Sequence, residues 1–207
     1  MKRLGWLVWL ILLLGCGNAT LLRDDFSQVN NDRWFTETDT FGQSTIYEGK
    51  LYIELNQANT IQYATIREPL FDNFDIEVDA TLLSGSPTSS YGILFRKQET
   101  GGFYRFEVTG NGDYIIERRD PNGVWTRLLP DNRWQKSEFI HKGIGVTNRI
   151  GVIANGSVAI FKVNGEPVHR IDNFDGSFSR GSIALEAGTY AQPNVQVAFD
   201  DLVISEP

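Results

Sequence analysis

Polar and apolar residues alternate along most of the chain. The clearest run is Phe74-Asp75-Ile76-Glu77-Val78-Asp79-Ala80-Thr81-Leu82. In an extended strand Phe74, Ile76, Val78, Ala80 and Leu82 fall on one side, and Asp75, Glu77, Asp79 and Thr81 on the other. One face then meets a core and the other meets water. Shorter runs of the same kind lie at 44–47, 50–55, 60–66, 91–97, 103–109 and 113–119. Further runs follow at 124–128, 148–154, 158–163, 168–171, 181–186 and 195–204. Gly, Asn, Asp and Pro separate them, and helical periodicity is almost absent. Glu48-Gly49, Gly110-Asn111-Gly112, Asn155-Gly156 and Asn164-Gly165 are the turn signals. Asn-Gly is the strongest of these, because both residues tolerate positive φ. Residues 130–142 read as a longer irregular connection. So many strands exceed what one open sheet tolerates. The pattern therefore predicts an all-β fold, a jelly-roll sandwich of two antiparallel sheets in one domain over 23–207. The first and last strands of such sandwiches commonly adjoin, which would bring Asp24-Asp25-Phe26 beside Phe199-Asp200-Asp201.

The N-terminus breaks the alternation. Lys2 and Arg3 precede an unbroken apolar run from Leu4 to Leu14. A membrane-spanning helix needs about 20 such residues, so this run fits the apolar centre of a signal peptide instead. It ends at Leu13-Leu14-Gly15-Cys16, which resembles the lipobox of bacterial lipoproteins. That resemblance implies cleavage after residue 15, lipid on Cys16, and a tether over 16–22. It places the protein outside the cytoplasm, anchored to a membrane at the cell surface or in the periplasm. Cys16 is the only cysteine, so no intramolecular disulfide can form.

Composition narrows the partners. Hydrophobic residues make up 41% and charged residues 22%, enough to bury a real core. The net charge of −7, with no cluster of Lys and Arg, excludes nucleic acid as a partner. The aromatic content of 12% suits strands and sugar-binding faces alike.

The order of segments resembles the concanavalin A-like lectin/glucanase superfamily, in particular its branch of 3-keto-disaccharide hydrolase-type domains. The resemblance is carried by Asp25-Phe26 with Trp34, by 73–78, and by Tyr91-Gly92-Ile93-Leu94-Phe95-Arg96. It continues through Asn148-Arg149-Ile150, 161–168 and Phe199-Asp200-Asp201-Leu202-Val203-Ile204. It implies a sandwich that binds or cleaves carbohydrate, and fold alone does not choose between the two.

Asp75, Glu77 and Asp79 sit on one strand face, with neighbours roughly 6.5 Å apart. Glycosidases that retain configuration hold two carboxyls about 5–5.5 Å apart, and inverting ones about 6.5–9.5 Å. Glu77-Val78-Asp79 resembles the opening of the laminarinase and β-glucanase signature. That signature needs a further Glu as acid/base just beyond the Asp, where this chain has Thr81 and Leu82. The glucanase activity is therefore not carried over, and the acidic strand reads as a solvated face. His141 and His169 lie in no nucleophile or zinc motif. No cofactor is required. The superfamily often carries a structural Ca²⁺ near its paired terminal strands, so the resemblance implies Asp24, Asp25, Asp200 and Asp201 as its candidate ligands. For a sugar, Arg96, Tyr104, Tyr114, Arg118, Trp125 and Trp134 lie on or beside the central strands as candidate lining of a concave face. The resulting expectation is a lipid-anchored module that binds envelope or environmental polysaccharide or oligosaccharide. A glycoside or keto-disaccharide hydrolase on the same fold is the alternative. A structural lipoprotein contacting another envelope protein is the third reading.

Overall fold

A computed structural model describes residues 18–174 and 176–207. The signal segment and Cys16 lie outside the described residues. Two eight-stranded sheets stack face to face. The first contains β1 (Thr20–Asp24), β3 (Gly42–Tyr47), β4 (Lys50–Leu55), β6 (Phe74–Ser84), β12 (Thr147–Asn155), β13 (Val158–Val163), β14 (Glu166–Ile171) and β16 (Val195–Ser205). Its order is β14-β13-β12-β6-β16-β4-β3, with β1 also on β16. The second contains β2 (Trp34–Phe35), β5 (Ile61–Ile66), β7 (Ser90–Lys97), β8 (Phe103–Thr109), β9 (Asp113–Arg119), β10 (Trp125–Arg127), β11 (Gln135–Lys136) and β15 (Ser182–Gly188). Its order is β10-β9-β8-β7-β15-β5-β2, with β11 also on β9. Every strand pairing is antiparallel, and the fold is the jelly-roll sandwich the alternation predicts.

The long β6 shows how the sequence pattern becomes packing. Phe74, Ile76, Val78, Ala80 and Leu82 are fully buried between the sheets, while the acidic residues between them face outward. Phe95, Phe106 and Phe161 meet these side chains from both layers, with ring centroids 5.3–6.2 Å apart. Offset and tilted rings at this spacing gain a little beyond their buried area. The two terminal strands do adjoin, with Asp24 opposite Leu202. Strand β16 pairs with β4 over Val195–Phe199 and with β1 over Leu202–Ser205. The break between them is a bulge where Asp201 takes φ +47°.

Two of the predicted hairpins form as read. Glu48-Gly49 and Asn164-Gly165 both take positive φ at each residue. At the third, Asn155 pairs with Val158, so the two loop residues are Gly156-Ser157 rather than Asn155-Gly156. The 130–142 connection is irregular but contributes β11, which caps the end of β9.

Candidate functional site

The outer face of the second sheet is unlike that of the first. Cross-strand pairing sets its side chains in rows. One row runs Tyr63, Glu186, Gly92, Glu107 and Ile115 across β5, β15, β7, β8 and β9. The next runs Thr65, Ala184, Leu94, Arg105, Glu117 and Arg127, ending on β10. Glu186 and Glu107 thus flank Gly92, a position with no side chain, and a Cβ there would come 2.1 Å from Phe106 O. Glycine inside a strand marks such close approaches.

Three carboxylates and one guanidinium gather over this gap. Glu107 and Glu186 are 0% exposed and Glu117 only 4%. Arg105 Nε donates to Glu117 Oε2 at 2.9 Å, and Arg127 Nε to Glu117 Oε1 at 3.1 Å. Arg105 Nη1 lies 3.3 Å from Glu107 Oε2, an ion pair without hydrogen-bond geometry. Ser90 Oγ donates to Glu107 Oε1 at 2.7 Å. Neither oxygen of Glu186 has a hydrogen-bond partner among the described residues. An ionised carboxylate in such a place is strongly disfavoured, so the group keeps its proton. Burial, and then the neighbouring Glu107, hold the Glu186 carboxyl well above the usual carboxylate range. Burial also raises Glu107, with Arg105 and Ser90 pulling the other way. Burial opposes the charge on Arg105, but the surrounding carboxylates outweigh it and hold the guanidinium protonated. The cluster therefore joins a neutral carboxyl to a carboxylate ion-paired with two arginines. Environments that separate neighbouring carboxyls in this way are how acid and base roles are divided in active sites.

Aromatic residues wall the cluster. The Arg105 guanidinium lies 4.1 Å from the Trp125 ring centroid, and Phe103 meets the same ring edge-on at 5.6 Å. Tyr190, on the loop after β15, stands edge-on to Trp134 at 6.1 Å. A cleft of about 610 Å³ opens beside Trp125, lined also by Arg105, Glu117, Arg127 and Asn132. A second, of about 240 Å³, lies between Trp125 and Tyr190.

Of the six residues expected at a sugar face, the structure brings Trp125 to both of these clefts, and Trp134 to a third, of about 200 Å³, that it lines with Tyr190. Tyr104 and Tyr114 point between the sheets. Tyr104 stacks on Phe95 at 5.4 Å, and Tyr114 donates to Val168 O at 3.1 Å. The Arg96 guanidinium bonds the backbone oxygens of Asp72 and Phe178, and Arg118 donates to Ser177 Oγ at 2.6 Å. The acidic strand lies on the opposite layer, and its charges are matched. Arg149 reaches Glu77 and Asp79 at 3.1 and 2.8 Å, and Lys162 reaches Asp75 and Glu77 at 2.9 Å each. The terminal aspartates do not fit a calcium cage. Asp24 accepts from Phe26 N, Arg33 and Trp34 Nε1, while Asp200 pairs with Lys50. No group of three or more His, Cys, Asp or Glu among the described residues is placed to hold a metal.

Glu107, Glu117, Glu186 and Arg105 were not singled out by their sequence. Glu107 and Arg105 belong to an alternating strand whose outward positions read as wet. The available signal was in β15, Ile183-Ala184-Leu185-Glu186-Ala187-Gly188, a lone carboxylate among small apolar residues.

Solved structures of low sequence identity share this sandwich. The carbohydrate-binding module CBM66 from Bacillus subtilis superposes with a TM-score of 0.66 at 14% identity, over 84% of this chain and 95% of that one. The β-glucanase of Bacillus licheniformis gives 0.65 at 10%, over 93% and 100%. The κ-carrageenase of Pseudoalteromonas carrageenovora, solved with a κ-carrageenan oligotetrasaccharide, gives 0.67 at 13%, over 95% and 97%. The protein thus has the concanavalin A-like fold found in carbohydrate-binding modules and glycoside hydrolases. Residues 22–205 match the family described as the 3-keto-alpha-glucoside-1,2-lyase-like domain, and the chain belongs to that family. No curated protein matches the sequence.

Proposed function

We propose that the outer face of the second sheet binds a keto-glycoside and eliminates its aglycone. The observation that carries this reading is the contrast between the two outer faces. On the first sheet every carboxylate of β6 is ion-paired, whereas at the centre of the second an unpartnered carboxyl is buried beside a paired one. Buried, unsatisfied groups cost stability and are kept where a site uses them.

In a 3-keto-α-glucoside the carbonyl acidifies the hydrogen on C2. Glu117 lines the open cleft and takes that proton. Arg105 and Arg127 offset the charge that develops on the ketone oxygen. The C1–O bond then breaks, a C1=C2 double bond forms, and the departing oxygen leaves as an alcohol after taking a proton. Tyr190, which lines the adjoining cleft with Trp125 and Arg105, supplies it.

Release of 4-nitrophenolate from 4-nitrophenyl 3-keto-α-glucoside, with the unoxidised glucoside as control, tests this. The expected result is release from the keto compound alone, reduced about 10²–10⁴-fold by Glu117→Gln. Sugar binding without turnover is the second reading, favoured by the 0% exposure of Glu107 and Glu186. It prevails if the keto compound binds but releases nothing. We further propose that the domain works outside the cytoplasm, tethered to a membrane through a lipid on Cys16, as the lipobox-like Leu13-Leu14-Gly15-Cys16 implies.

A further inference from the structure

The outer face of the second sheet extends past the carboxylates. On the side away from Trp125, a cleft of about 260 Å³ opens among Phe35, Tyr63, Thr65, Lys97 and Ser182. A bulge creates it. Ala184 pairs with Leu94 and Ser182 with Lys97, so two steps along β15 match three along β7. Arg96 takes up the extra residue at φ +49°. Bulges re-aim side chains. Leu94 and Lys97 consequently share the outer face, where an unbroken strand would have turned Lys97 toward the core.

Two polar groups in this cleft have no hydrogen-bond partner among the described residues. Thr65 Oγ1 is buried, the residue being 8% exposed, and bonds to nothing. Lys97 Nζ makes no hydrogen bond or ion pair. It lies 5.2 Å from the Tyr63 ring centroid, with Glu37 and Glu99 acting on it only at longer range. Burial lowers its amine below the ordinary lysine range, although both glutamates oppose this. Between the cleft and Arg105, the side chains of Leu94, Ala184, Phe103 and Tyr63 form a small apolar floor.

These features match the surface of a pyranose. Its hydroxyls both donate and accept, as an unsatisfied hydroxyl and an unpartnered amine require, and its apolar face suits an aromatic ring and an apolar floor. From β10 to β5 is five strand spacings, about 24 Å, more than a disaccharide spans. We propose that the Tyr63–Thr65–Lys97 cleft is a second sugar-unit subsite, so that the face holds an α-linked oligosaccharide lying across the strands. One unit would rest on the Trp125 side of the carboxylates and another over Tyr63. The inference rests on the reading of this face as a carbohydrate site.

Isothermal titration of the full-length protein in detergent with maltose and with maltopentaose tests it, alongside Lys97→Met and Thr65→Val. Wild type is expected to bind maltopentaose at least about tenfold more tightly than maltose. Each variant should lose that advantage and keep its affinity for maltose. Neither should melt at a much lower temperature, since neither group has a hydrogen bond to lose and the Met side chain still packs on Tyr63. If wild type binds both sugars equally, or if both variants retain the advantage, the subsite is wrong and the carbohydrate face stands. If wild type binds neither sugar and releases no nitrophenolate from the keto-glucoside, the reading of the face falls and the subsite with it.

Discussion

Glu186 concentrates the physics of the site in one side chain. Its carboxyl is sealed from water, lacks a hydrogen-bond partner among the described residues, and faces a second carboxyl across a glycine. Groups of this kind are destabilising in isolation. Their effect also depends on pH, and the sign follows from the direction of the shift. The folded state holds the Glu186 proton more tightly than the unfolded chain does, so the native form binds more protons above the ordinary value of 4.5. Stability from this group is therefore complete below that value and declines as the pH rises toward the raised folded value. Glu186→Gln cannot ionise. Its melting temperature, compared with that of wild type by thermal denaturation between pH 5 and pH 8, should gain steadily on wild type as the pH increases. Parallel melting curves across that range would mean that the buried carboxyl is not held protonated. The same conclusion could not be reached from sequence. Glu107 alternates with Phe106 and Val108 like any outward residue of a half-buried strand, and nothing in one strand reveals that its outer face is covered by Trp125 and Tyr190.

Strands and their pairing carry most of what was legible. The alternation in β6, the turn at Asn164-Gly165 and the adjacency of first and last strands follow from side-chain period and backbone φ, both local properties. Strands β2 and β11 have two residues each, too few to show a period. The bulge at Arg96 is likewise invisible in sequence, because it exists only relative to the partner strand. Gly92 lies between these cases. It reads as a weak point in a strong strand, and its reason appears only when β8 is in place, with Phe106 O where a Cβ would have to go. Since the obstacle is backbone rather than a mobile side chain, Gly92→Ala should strain the β7–β8 pairing. The expected destabilisation is about 1–3 kcal/mol, or roughly 2–4 °C in melting temperature for each kcal/mol in a chain of this size. Urea unfolding would measure it. A change below about 0.5 kcal/mol would show that the two backbones can separate at no real cost, and that the gap between Glu107 and Glu186 is not fixed by this contact.

The two layers of the molecule differ in how their charged groups are matched. The acidic strand of the first sheet presents matched charges, whose ion pairs contribute modestly and demand no partner. The second sheet gathers the unmatched groups, so a ligand would gain most there. The proposed anchor enters on the first sheet, since β1 begins at Thr20 and pairs with β16. Four residue steps separate Cys16 from Thr20, and in any conformation they span at most about 14 Å. A lipid on Cys16 would hold the β1 end of the sandwich close to the bilayer, with the carboxylate face on the opposite layer free to meet a soluble sugar. One acyl chain gives only marginal membrane binding, whereas several together hold a domain firmly. Cys16→Ser removes the single thiol of the chain, so it removes every site for thioether lipid at once. In a bacterial host, metabolic labelling with an alkyne fatty acid should mark wild type and not the variant, and the variant should move from the membrane fraction to the soluble one. Its melting temperature should not change, because no described part of the sandwich involves residue 16. Persistence of both label and membrane association in Cys16→Ser would place the anchor elsewhere and remove the reason for orienting the carboxylate face away from the bilayer.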